Sequence, residues 1–146
     1  MNKIKIIIVC LLVPVLVLMA AAFMKFRSKE QFQQKTLLAQ EIRKVLDRLM
    51  FDLREARENT IQDVPADGEW HHRFAFDRSG QGALEYTINE GHLYRMNQGE
   101  KLLIADHIAD LRMRRQKSSP DVLEVQIEAQ NDVTLISNLK IRIRQQ

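Results

Sequence analysis

Residues 37–56 read LLAQEIRKVLDRLMFDLREA. Leu38, Ile42, Val45, Leu46, Leu49, Leu53 and Ala56 recur at helical spacing. At 100° per residue these positions fall within an arc of about 100°, the apolar stripe of a helix docked on a core. The opposite side carries Gln40, Lys44, Asp47, Arg57 and Glu58. Arg48–Asp52 and Arg54–Glu58 have i,i+4 spacing and read as surface pairs, each worth about 0.2–0.5 kcal/mol. The side chains expected to dock on the core are Leu38, Ile42, Val45, Leu49 and Leu53. Leu37 and Phe51 lie two heptads apart on the charged side, either as scattered surface hydrophobes or as a contact face for a neighbouring helix.

Toward the N-terminus the helix meets no obstacle. No glycine precedes Gly68 and no proline lies between Pro14 and Pro65. Residues 27–36, RSKEQFQQKT, contain good helix formers and no breaker. Residues 6–24 carry no charge. At ~1.5 Å per residue they nearly span a hydrocarbon core of ~30 Å. The expectation is one helix from about residue 4 to residue 59, with residues 1–25 crossing a membrane and 26–60 as an amphipathic continuation. Lys3 and Lys5 with Ala20-Ala21-Ala22 also fit a cleavable secretory signal, although its apolar run would be long for one.

Composition narrows the class. The chain has 146 residues, 45% hydrophobic and 28% charged, which excludes both a disordered tail and a wholly membrane-embedded protein. Lys3 and Lys5 supply two of its three net positive charges. The remainder is nearly neutral, so no nucleic-acid partner is expected. The single cysteine, Cys10, lies in the apolar run, which leaves the rest of the chain without disulfides.

C-terminal to the helix the apolar period falls to 2. Trp70, His72, Phe74 and Phe76 alternate with His71, Arg73, Ala75 and Asp77 as a strand, followed by SGQG as a turn. Leu84, Tyr86 and Ile88 start a hairpin that turns at Asn89-Glu90-Gly91 and returns as HLYRM. Residues 102–104 read as a short strand, followed by a candidate helical turn and then by Leu111 and Met113 facing inward. KSSPD makes another turn. If that turn aligns Leu111 with Val125, Arg112 lies opposite Glu124. Leu123, Val125, Ile127 and Ala129 share one face of the last hairpin with Val133, Leu135, Leu139, Ile141 and Ile143. A sheet with one apolar and one wet face suits the helix stripe. The fold class is therefore α+β: a long N-terminal helix packed on one antiparallel meander sheet, the β domain covering residues 61–146.

Patterns for catalysis are missing. His71 and His72 are adjacent on an expected strand and point to opposite faces, which is poor for chelation. No H-x-x-x-H, C-x-x-C or glycine-rich phosphate loop occurs, and RSGQG does not match a nucleophile elbow. Asp121 and Asp132 sit in separate turns and form no calcium loop. No catalytic residue, metal site, cofactor or small-molecule substrate is expected.

Three stretches carry a family resemblance. In LMFDLREA, residues 49–56, Asp52, Leu53, Arg54 and Ala56 resemble the helix-ending D-L-R-x-A pattern of type IV pilins and type II secretion pseudopilins. LEYTINEGHLYR, with Tyr86, Ile88, Leu93 and Arg95, resembles their hairpin, and LLIADHIADLRM the segment after it. The likeness covers roughly residues 38–146 and is greatest to the J-type minor pseudopilins. It implies a pilin-like fold, a structural and non-enzymatic role, and binding to other pilin-like subunits through helix faces. It also implies an inner-membrane anchor with the C-terminal domain periplasmic or extracellular. Positive charge flanks both ends of residues 6–24, so charge alone slightly favours the opposite orientation. The chain departs from the family where prepilins carry a processing glycine and an acid in the apolar segment: it has no glycine before Gly68 and no acid in residues 6–24. A tip subunit, a scaffold or adaptor of another envelope complex, and a secreted domain remain as alternatives to a routine filament subunit.

Overall fold

The computed structural model describes residues 3–62, 64–73, 75–78 and 82–143. Helix α1 (Lys3–Glu55) is followed by β1 (Ala56–Gln62), β2 (Ala75–Arg78), β3 (Ala83–Asn89), β4 (His92–Asn97), β5 (Glu100–Ala105), β6 (Ile108–Gln116), β7 (Ser119–Gln130) and β8 (Thr134–Arg142). The class is α+β, with one N-terminal helix and antiparallel strands. The chain divides into two compact units, Met1–Gln34 and Lys35–Gln146. The three segments expected at 1–25, 26–60 and 61–146 thus differ from these units in their boundaries.

The strands form two sheets where one was expected. The first runs β1-β2-β3-β4-β5 and the second β6-β7-β8, each a meander. The break falls at a corner after β5. His107 has a positive φ of 60°, a left-handed conformation rare outside glycine, and it turns the chain out of the first sheet. On its far side Ile108 N–H donates to Gly91 O at 2.8 Å, and Gln130 N–H donates to His107 O at 2.8 Å. The corner therefore replaces the helical turn considered for this stretch.

The helix is shorter than expected and its amphipathic part stops at Glu55. Ala56 and Ile61 are both buried. Five residues apart on a helix they would point 140° away from each other, whereas on the irregular strand β1 both reach the core. Ala56 pairs with Arg78 and Ile61 with Phe76. This pairing overrides the helix propensity of residues 56–58, and with residue 58 in a strand the Arg54–Glu58 helical spacing does not exist.

The expected strand over 70–77 is also cut. Among the described residues of that stretch only Ala75, Phe76 and Asp77 pair with β3, while His71 forms an isolated bridge with Met113 of β6, with N···O distances of 2.7 and 2.9 Å. Phe74 and most of the SGQG turn, residues 79–81, lie outside the described residues. Asp67 begins the diversion by accepting from Glu69 N–H at 2.8 Å and contacting His71 Nε2 at 3.1 Å. Trp70 completes it under the guanidinium groups of Arg112 and Arg114.

In the second sheet Leu111 faces Ile127, Met113 faces Val125 and Arg114 faces Glu124. The expected Arg112–Glu124 alignment is two residues out. The turn is only Lys117–Ser118, and Ser119 already pairs with Gln116. A shift of two keeps side-chain parity, so the apolar face is unchanged. Leu111, Met113, Leu123, Val125, Ile127 and Ala129 are buried, in one cluster with Phe76, Leu84 and Leu93 of the first sheet and the stripe of α1. Each fully buried Leu or Ile of that stripe is worth about 1.5–3 kcal/mol.

Candidate functional site

Asp52, from the D-L-R-x-A stretch, is fully buried, and it meets the two polar residues of the hairpin motif. Tyr86 and Arg95 are direct cross-strand partners on β3 and β4, and both side chains turn inward. Tyr86 donates its hydroxyl to Asp52 Oδ2 at 2.6 Å. Arg95 grips both carboxylate oxygens, Nε to Oδ2 at 2.6 Å and Nη2 to Oδ1 at 3.2 Å. Arg48, one turn back on α1, approaches Oδ2 at 3.6 Å. The surface pair expected between Arg48 and Asp52 is therefore one side of a buried latch between helix and sheet. Burial, reinforced by the Asp52 carboxylate, holds the Tyr86 hydroxyl above the ordinary tyrosine range, so it stays a donor.

A second polar tie starts at Glu41. Its Oε2 accepts from Asp106 N–H at 3.0 Å while Oε1 accepts from Lys44 at 2.6 Å. The helix thereby holds the corner at which the chain passes from one sheet to the other. Arg115 joins the sheets from the other side, its Nη2 donating to Ile61 O at 3.1 Å.

Around these ties the stripe residues Leu38, Ile42, Val45, Leu49 and Leu53 are buried together in the core. Leu37 and Phe51 are not among them: they stand 41% and 48% exposed, with the Arg48 guanidinium 5.5 Å from the centre of the Phe51 ring. In the first unit Val17, Leu18, Met19, Phe23, Phe26 and Phe32 are all more than half exposed. Among the described residues no helix is long and apolar enough to cross a membrane. The expected anchor rests mostly on residues 6–16, whose side chains lie outside the described ones.

The wet face of the second sheet is a network centred on Glu124. It accepts from Arg114 Nε at 2.6 Å and from Gln116 Nε2 at 2.6 Å, and Lys140 Nζ lies 2.7 Å away. Lys140, then Arg114, pull the Glu124 carboxyl from its ordinary 4.5 down to about 2 against the opposing effect of burial. A parallel rung runs from Arg112 through Gln126 to Asn138.

Three histidines each have an aspartate of their own. His71 pairs with Asp67, His72 with Asp110 and His92 with Asp106, at 3.1, 2.8 and 2.6 Å. The pairing separates the potential ligands, and among the described residues no group of three could hold a metal ion.

Sequence reasoning named Asp52, Tyr86 and Arg95 as motif positions but not as one buried site. The signal was present: Asp52 lies only about 20° beyond the stripe's edge, and Tyr86 and Arg95 share the inward parity of Leu84 and Leu93. Comparison of the chain with protein-family models, with curated proteins and with solved structures finds no match.

Proposed function

We propose that this chain is a structural, pilin-like subunit of the minor pseudopilin kind, assisting assembly of a type II secretion pseudopilus or a type IV pilus. In this reading residues 1–25 anchor it in the inner membrane. The C-terminal domain lies in the periplasm or outside the cell, and the chain acts by binding other pilin-like subunits rather than by catalysis. The observation that carries the reading is the division of labour on α1. The same stretch of helix that buries Leu38, Leu49 and Leu53 leaves Leu37 and Phe51 about half exposed. A surface that serves only solubility gains nothing from them, while a helix bundled beside other helices buries them for about 1.5–3 kcal/mol each.

The test is crosslinking from positions 37 and 51 in native membranes, with and without Leu37→Ala and Phe51→Ala. Partner recovery should fall in the double variant while its thermal unfolding stays near the parent's. Unchanged partner recovery would refute the proposal. A collapse of the variant's own stability would instead assign both residues to the core. The lack of an acid in residues 6–24 favours a tip position or a membrane-held adaptor over a repeating filament subunit.

A further inference from the structure

Among the described residues the last pair of β2 with β3 is Ala75–Glu85, although β3 continues to Asn89. Strand β6 is the first strand of its sheet, so one of its edges has no ladder. The two edges face a common cleft of about 460 Å³, lined by Tyr86, Thr87 and Ile88 from β3 and by Ala109, Asp110 and Leu111 from β6. Backbone hydrogen bonds close it at both ends: Ile108 N–H to Gly91 O at one, the His71–Met113 bridge at the other.

The direction of the backbone groups follows from strand periodicity. Met113 spends its N–H and C=O on His71, so Leu111, two residues away, turns its own toward the same edge. On β3 the two-residue turn Glu90–Gly91, with φ of 52° and 78°, makes Asn89 face His92 of β4. Ile88 therefore turns its N–H and C=O the other way, toward the cleft. Among the described residues no backbone group takes either pair on that side.

The charges at the rim are committed to one another. His72 Nδ1 lies 2.8 Å from Asp110, which Arg112 also approaches at 3.8 Å, and Arg73 lies 3.5 Å from Glu85. An ionic ligand would have to break these pairs. What the cleft offers instead is backbone donors and acceptors on two strand edges, with the partly exposed apolar side chain of Ile88 beside them. A peptide backbone is the ligand that matches both, since it adds donors and acceptors in alternation along an edge. The volume lies within the ~300–1,000 Å³ of ligand clefts. The stretch of β6 between its pins, Ile108 and Met113, spans roughly 17 Å at ~3.3 Å per residue, which is the length of about five residues.

We infer that this cleft is a binding site for a short extended peptide segment of a partner protein, which adds a strand along Leu111 of β6 and reaches the edge of β3 at Ile88. The site is separate from Leu37 and Phe51 and does not depend on the stem reading.

The test uses the isotope-labelled 146-residue chain in detergent micelles, titrated with the blocked peptide acetyl-Thr-Val-Thr-Val-Thr-amide and followed by amide NMR. Saturable shifts and slowed hydrogen exchange at Ile88 and Leu111 are expected. The same peptide N-methylated at every backbone amide keeps its side chains but loses its donors, and should bind at least about tenfold more weakly. Ala109→Trp, at an exposed position lining the cleft, should block the peptide with an unchanged thermal midpoint. The proposal is overturned by equal binding of the methylated peptide, or by no shifts up to the solubility limit. It is equally overturned by shifts confined to the exposed Leu102 and Leu103 of the edge strand β5. The two peptides decide the matter on the parent chain even if the tryptophan variant does not fold.

Discussion

Replacing Arg95 by leucine should be the most damaging single change in the sheet, for a reason the geometry makes specific. The substitution removes two charge-assisted hydrogen bonds, at 2.6 and 3.2 Å, from a carboxylate that has no solvent exposure. Breaking a buried ion pair from one side costs about 3–5 kcal/mol, because the surviving charge keeps its desolvation penalty and loses its compensation. For a domain of this size that lowers Tm by roughly 10–25 °C. Asp52→Leu combined with Arg95→Leu should be less harmful than Arg95→Leu alone, since no charge is then left buried. Adding Tyr86→Phe should recover a further ~1–3 kcal/mol by removing a hydroxyl that has lost its acceptor. The assay is circular-dichroism thermal and urea unfolding of the 146-residue chain and its variants in one detergent, closed into a double-mutant cycle. Should Arg95→Leu cost less than about 1 kcal/mol, or the double variant cost the sum of the two singles, the latch is not an energetic unit.

Two further outcomes are expected. Leu49→Asp places a charge in the fully buried part of the stripe and should cost at least about 3 kcal/mol, and unfolding that matches the parent would mean the helix is not docked there. Glu124 has a folded pKa of about 2 against an ordinary 4.5, so its pairing stabilises fully above 4.5 and is lost as pH falls through about 2. The stability difference between the parent and Glu124→Gln should shrink across that window, and a constant difference would refute the assignment.

The parts of the fold that follow from side-chain periodicity were legible, and those that depend on backbone turns were not. Six of the seven stripe positions, all but Ala56, and the inward parity of the last hairpin are properties of residue spacing alone, and they meet at the core. The division into two sheets hinges on a left-handed conformation at His107, which no glycine announces. Register in the second sheet depends on a turn of two residues, Lys117–Ser118, where KSSPD suggested five, and on the irregularity between Arg115 and Gln116; periodicity conceals the slip because an even shift preserves the faces. Residues 56–58 are good helix formers, and only pairing of β1 with Arg78 and Phe76 turns them into strand. Asp52 was misassigned because i,i+4 spacing supplies Arg48 as a ready surface partner. The better cue was an arginine, Arg95, on the apolar parity of a strand.

A buried ion pair is weak evidence for stability, and its use here is more readily found in register. Leucine against leucine tolerates sliding: moving α1 by one turn along the two sheets would still bury apolar side chains against apolar side chains. Asp52 has no such freedom, because its acceptor oxygens match Tyr86 and Arg95 at one position only, and displacement would bury three polar groups unpaired. Glu41, held by Asp106 N–H and Lys44, constrains the same helix about three turns away. Two such ties fix rotation as well as translation. Because Leu37 and Phe51 lie on the same rigid helix, the latch that determines which residues face the core also determines which face is presented outward. A shift of one residue would rotate that face by 100° and carry both side chains out of line with any partner.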